Sequence, residues 1–170
     1  MNHGVRSYLW AAAAARTEGL AVDDELLFVS AVLHDLGLEP AFDSHTLPFE
    51  EAGGLVAWVF AAGAGWSEER RDRAAAIIVA HMADAVDPAV DAEGYLLEIA
   101  TGLDISGRNP EAWDAELRAE VLAAHPRLDL AGEFTGCILD QAARKPGSTA
   151  AGAVASGLPA KLAANPLGRG

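Results

Sequence analysis

Apolar residues recur along this chain at three- and four-residue spacings, in stretches separated by short clusters of Gly, Pro, Asp and Asn, and no segment has the strict alternation of a half-buried strand. The pattern predicts a series of helices. The first runs from about Val5 to Glu18, where alanines give high propensity and a slim profile, and Gly19 ends it. The second starts at Asp23 or Asp24, whose carboxylates suit a helix N-terminus, and ends near Gly37 ahead of Pro40. A loop from Glu39 to Pro48 leads to a third helix, about Phe49 to Ala64. Ser67 caps a fourth, with Glu68 and Glu69 in its first turn, that continues to about Met82. Further helices cover about Ala92 to Leu103, Pro110 to Ala124 and Leu130 to Arg144, and a weaker one starts at Ser148. The tail from Asn165 to Gly170 is expected to fray.

Leu26, Leu27, Phe28, Val29, Val32, Leu33 and Leu36 leave the second helix almost no polar face, so it is expected at the centre of the bundle. His34 and Asp35 are then internal. An unpaired buried carboxylate is costly, so it must be neutralised, paired or given to a metal, and the adjacent imidazole makes the metal option concrete. Neighbouring helical residues point about 100° apart. Both can reach one ion only if it lies against the helix between them or if the helix is ending there, and Gly37 favours the second arrangement. Taken alone, a His-Asp dipeptide has little specificity, and a histidine bonded to an aspartate of its own core is the simpler reading.

Composition narrows the setting. With 170 residues, 51% of them hydrophobic, and no dividing linker, the chain reads as one all-α domain over residues 1–164. A net charge of −13 without a basic stripe argues against nucleic acid as a partner: Arg70, Arg71 and Arg73 are interleaved with Glu68, Glu69 and Asp72 as a solvated face. The longest uncharged apolar run, Ala52 to Ser67, falls short of the roughly twenty residues of a membrane span and reads as a buried helix. Arg6 before the apolar stretch Tyr8 to Ala15 imitates a secretory signal, but the stretch is short and Arg16 and Glu18 follow it closely. The single Cys137 excludes an intrachain disulfide, and a cytoplasmic location is expected.

The stretches Asn2-His3-Gly4-Val5-Arg6-Ser7-Tyr8, Leu33-His34-Asp35-Leu36-Gly37-Leu38, Phe49-Glu50-Glu51-Ala52-Gly53 and Leu103-Asp104-Ile105-Ser106-Gly107 occur in an order that resembles the HD-domain superfamily of metal-dependent enzymes. Together with His125-Pro126-Arg127 and Arg144-Lys145-Pro146, they look like its cyanamide-hydratase-like branch. The resemblance implies a helical bundle of the HD type that holds one divalent ion, zinc first and iron or manganese as alternatives, on His3, His34, Asp35 and Asp104. Outside the pattern, Asp104 reads as a helix C-terminal or turn residue, with Ser106 and Gly107 supplying the turn chemistry. Members of the branch usually carry a helix ahead of the first histidine, whereas His3 lies almost at the start here.

The same resemblance implies a pocket role for His81 in binding or protonating substrate, where the plain reading is a helix C-terminal residue. His45, in a polar loop, is a second catalytic candidate. Phe49 and Glu50 look like the family's helix start facing the pocket, although a Glu in a first turn needs no function. Arg6 either orients substrate or pairs with an acid. The expected activity is addition of water to a small nitrile-type molecule, such as cyanamide to urea, by a metal-bound hydroxide. A phosphohydrolase acting on a phosphomonoester or nucleotide is the alternative, with Arg6 and Arg108 as the cationic groups near the site. A non-catalytic, metal-containing ligand-binding module is the third reading. Partners are then a small molecule, with no nucleic acid and no membrane, and self-association is left open.

Overall fold

The computed structural model describes residues 2–168, and among these there is no strand. The helices are α1 (Asn2–Glu18), α2 (Asp24–Leu33), α3 (Phe49–Gly63), α4 (Glu68–Ala80), α5 (Ala92–Ser106), α6 (Ala115–Ala124), α7 (Leu130–Arg144), α8 (Thr149–Ala155) and α9 (Leu158–Ala163). They form a single-domain all-α bundle. In it α1 packs on α2 and α5, α3 pairs with α4, and α7 to α9 close one end. Asp23 and Ser67 act as expected, each accepting a hydrogen bond from a backbone N–H of the following turn, and Asp91, Asp114 and Ser148 cap their helices in the same way.

The alanines of α1 do what their size suggests. Ala11, Ala13, Ala14 and Ala15 are buried beside Trp10, Leu96, Ala100 and Leu103, so α1 and α5 approach closely. A second cluster, built on Phe49, Ile105, Phe134 and Ile138, joins the start of α3 to α5 and α7. Between α2 and α3 the backbones themselves meet. A Cβ on Gly37 would lie 1.9 Å from the Phe49 carbonyl oxygen, and one on Gly53 would lie 2.8 Å from the His34 carbonyl oxygen.

Several expectations are corrected. α2 stops at Leu33 rather than near Gly37, and a 3-10 turn over Leu36–Leu38 follows. α5 runs on to Ser106 rather than ending near Leu103, so that Asp104 is a residue of its last turn, the helix C-terminal alternative of the two readings. The stretch after Pro110 begins with a 3-10 turn, and α6 starts only at Ala115. α2 touches α1, α3, α4 and α5 as a central helix should, yet Phe28 is 43% exposed. α3 is not fully buried either: Leu55, Val59 and Phe60 face outward. Cys137 is exposed. Asn165, where a frayed tail was expected to start, is buried together with Leu167, and Arg169 and Gly170 lie outside the described residues. No described helix is long and apolar enough to cross a membrane.

Candidate metal centre

The early stop of α2 positions its His-Asp pair. His34 is the C-cap, and Asp35 follows at φ −96 and ψ 6, so the two side chains leave a terminating turn rather than a regular helix face. A helix end leaves carbonyls without partners, and the His34 ring folds back to one of them, its Nδ1–H donating to the Ala31 oxygen at 2.8 Å. The end of α4 repeats the device. His81 is its C-cap, and its Nδ1 donates to the Ile78 carbonyl. In both rings the bond fixes the tautomer and leaves Nε2 free.

His3 reaches the same place from the first turn of α1, with Nδ1 donating to Asp104 Oδ2 at 2.6 Å. Its Nε2 lies 3.2 Å from His34 Nε2 and 3.5 Å from Asp35 Oδ2, and His34 Nε2 lies 3.2 Å from that oxygen. With both Nδ1 hydrogens directed away, two imidazole lone pairs and a carboxylate oxygen face one point. Such a convergence requires positive charge between the donors. Burial would discharge His34, yet the Asp35 carboxylate beside it raises its proton affinity above the ordinary value. Burial would likewise raise Asp35, but the charge and hydrogen bond of His34, with His3 and His81 beyond, hold it well below the usual carboxylate range.

The donor set fits a divalent ion. Bonds of about 2.0–2.1 Å to a tetrahedral ion place its ligands about 3.4 Å apart, close to the separations seen here. His3, His34 and Asp35 are the group of potential ligands that comes together among the described residues. The partners behind the two histidines, a carboxylate and a backbone carbonyl, are those that orient metal-binding imidazoles in general.

Asp104, the fourth ligand implied by the resemblance, lies behind His3 and not among the converging donors. It is fully buried on α5. Arg6 grips it at both oxygens, Nε to Oδ1 and Nη2 to Oδ2, each at 2.8 Å, and Trp10 Nε1 donates to Oδ1 at 3.2 Å. Burial is again the unfavourable influence, and the bonds from His3 and Arg6 overcome it, so the carboxyl stays well below its ordinary value. Arg6 also donates to the carbonyls of His125 and Pro126 at 3.0 and 3.1 Å. The expectation that Arg6 orients substrate is therefore corrected: its guanidinium is 0% exposed and fully committed. The Asn165 carboxamide completes the brace by donating to the carbonyls of Leu103, Asp104 and Ile105.

The donors open into a cavity of about 180 Å³, whose walls include His81, Glu98, Thr101, Arg108 and Phe134. Burial, and then the charge of His34, push His81 down to about 3, so it is a neutral imidazole at neutral pH. The other expected pocket residues lie elsewhere. His45 is exposed and lines a separate groove with Arg144 and Lys145. Phe49 packs beneath His81, the ring centroids 5.8 Å apart, and does not line the cavity. Glu50 is buried and accepts from Thr149 Oγ1 at 2.6 Å, tying α3 to α8. Glu98 and Thr101 escaped the sequence reading, whereas Arg108, named there as a cationic group near the site, does line the cavity. The signal was the spacing of 98, 101 and 105, one helix face that includes a glutamate inside the apolar run Leu96 to Leu103.

No family model matches the chain. It is 26% identical over 151 residues to the cyanamide hydratases DDI2 and DDI3 of Saccharomyces cerevisiae, in alignments that cover 86% of this chain and 67% of each relative.

Proposed function

We propose that this chain is a metal-dependent hydratase that adds water to a small nitrile-type molecule, with cyanamide as the model substrate and urea as its product. The observation that carries the reading is the convergence of His3 Nε2, His34 Nε2 and Asp35 Oδ2 on one point of a small cavity. The distant similarity to two cyanamide hydratases supports it independently.

His3, His34 and Asp35 hold the ion, zinc by preference because two imidazoles and one carboxylate suit it, with iron or manganese as the alternatives. Once bound, a divalent ion acts as a Lewis acid and brings the pKa of water into the neutral range. Asp104 and the Ala31 carbonyl keep both imidazoles in the ligating tautomer. His81, which lines the cavity with Nε2 free, is the residue that relays a proton from the attacking water to the nitrile nitrogen as the C–O bond forms. Addition of one water to cyanamide then gives the imidic tautomer of urea, and a further proton shift gives urea.

The cavity favours this reading over phosphoryl chemistry, which needs cationic groups to offset phosphate charge. Arg6 is locked on Asp104, and Arg108 is paired with Glu98. A volume of about 180 Å³ also suits a molecule of a few heavy atoms better than a nucleotide. The test is elemental analysis of the purified protein, followed by a urea assay on the same sample with cyanamide. Stoichiometric metal and urea formation are expected, both lost in Asp35→Ala. Metal-loaded protein inert towards cyanamide and other nitriles would sink the proposal, and turnover of a phosphomonoester would transfer it to the alternative.

A further inference from the structure

The cavity contains a second carboxylate that the steps above do not use. Glu98 projects from α5 with only 7% of its side chain exposed, and Arg108 Nη2 pairs with its Oε1. The same Nη2 donates to the Glu98 main-chain carbonyl at 3.2 Å, so the arginine is clamped to one residue twice. Gly102 makes room for it: a Cβ there would lie 2.5 Å from Nη2. Glu98 Oε2 has no hydrogen-bond partner among the described residues, yet it is not one of the sealed polar atoms, so it faces open space in the cavity wall.

The neighbouring neutral groups are already committed. The Thr101 hydroxyl donates to its own helix at the Leu97 carbonyl, 2.9 Å away, and the Ser106 hydroxyl to the Gly102 carbonyl at 2.7 Å. Besides the remaining nitrogens of Arg108, which is 41% exposed, the free polar atoms of the wall are acceptors, Glu98 Oε2 and His81 Nε2. A molecule that complements them brings N–H donors. An incoming anion would meet Glu98 and Asp35 together.

We propose that Glu98 Oε2 accepts a hydrogen bond from an amino group borne by the reacting carbon, and that Arg108 is the positioning residue that holds it in place. This deepens the hydratase reading and rests on it: the site selects amino-nitriles, of which cyanamide is the simplest, over nitriles without an N–H. The same acceptor serves the amide N–H groups of a urea-type product.

The test uses the metal-reconstituted protein and compares cyanamide with N,N-dimethylcyanamide, and urea with tetramethylurea as ligands in calorimetry. Glu98→Leu removes the acceptor at similar volume, and Glu98→Gln keeps a weaker one. Metal content is expected to stay unchanged. The KM for cyanamide and the Kd for urea are expected to rise about tenfold or more in Glu98→Leu and less in Glu98→Gln, as loss of a charged hydrogen bond predicts. The methylated compounds should respond little. Arg108→Met should raise the same KM with a small change in kcat, and Arg108→Lys should restore part of it. Equal fold-changes for cyanamide and its dimethyl form, or urea binding that is absent from the wild type or unaltered in Glu98→Leu, would overturn the inference. The urea arm needs no turnover, so it separates failure of this inference from failure of the hydratase reading.

Discussion

His34 and His3 present the same nitrogen to the same point, but they are mounted in opposite ways. His34 sits at the end of its helix and is steadied by a neutral bond to a carbonyl three residues back in its own chain. His3 sits in a regular helical turn and is steadied by Asp104, 101 residues away, which is itself held by Arg6 and Trp10, with Asn165 bonded to the surrounding carbonyls. The first mount is complete as soon as α2 ends. The second exists only when α1, α5, the end of α6 and residue 165 have come together. Assembly of the centre is thereby coupled to the fold, and the histidine nearest the described N-terminus is the more heavily braced of the two.

The sharpest way to break the contrast is Asp104→Ala, which strands the buried Arg6 guanidinium. A loss of about 3–5 kcal/mol in unfolding free energy is expected from chemical denaturation of the metal-free protein. The corresponding change behind His34 has no side chain to remove, and a near-neutral Asp104→Ala would mean that the two mounts are equivalent.

Acid should separate the groups next. His81, at about 3 in the folded protein, stays neutral where the unfolded chain takes up a proton below about 6.5, so this contribution to stability is lost as pH falls from there towards 3. Asp35 and Asp104, both held low, contribute stability above the ordinary carboxylate range that is lost on further acidification. His34, raised by Asp35, acts in the reverse sense: its contribution is present below its ordinary value and fades as pH rises through the elevated one. Denaturation midpoints of the metal-free protein between pH 8 and 4 should fall towards acid, and less steeply in His81→Gln.

Asn165→Ala removes a carboxamide that donates to the carbonyls at the end of α5, and should cost about 1–3 kcal/mol while leaving residues 34 and 35 untouched. The metal affinity it retains measures how far the brace is shared. Smallest of all, Ser67→Ala deletes the cap of α4, the helix that ends in His81. About 1 kcal/mol is expected, with metal content unchanged.

The same contrast explains what could be read in the sequence. The starts of α2 and α4 were legible because each is marked by a capping side chain within three residues, Asp23 and Ser67. That α2 should be ending at the His-Asp pair was readable from Gly37. The exact stop at Leu33 was not, because it reflects a backbone contact with α3, far along the chain. Arg6 showed the limit most clearly. Substrate contact and pairing with an acid were both readable for it, and only the fold identifies the acid as the buried Asp104. Arg108 was placed near the site, but its partner Glu98 was missed because the pairing crosses the end of α5, where Gly107 turns the chain at φ 69. The outward face of α3 could not be inferred from hydropathy, which registers an apolar run without saying what covers it.

The contact of main chain with main chain at Gly37 and Gly53 divides the centre into parts with different capacities for change. The spacing between the end of α2 and the start of α3 is set without any side chain, so a larger residue there cannot adjust it by degrees and can only force the helices apart. The opposite wall, where Glu98, Thr101, Arg108 and Phe134 stand, is made of side chains that can be exchanged one at a time. Diversification of substrate in proteins built this way should therefore accumulate on α5 and α7, while the floor beneath the three converging donors stays fixed.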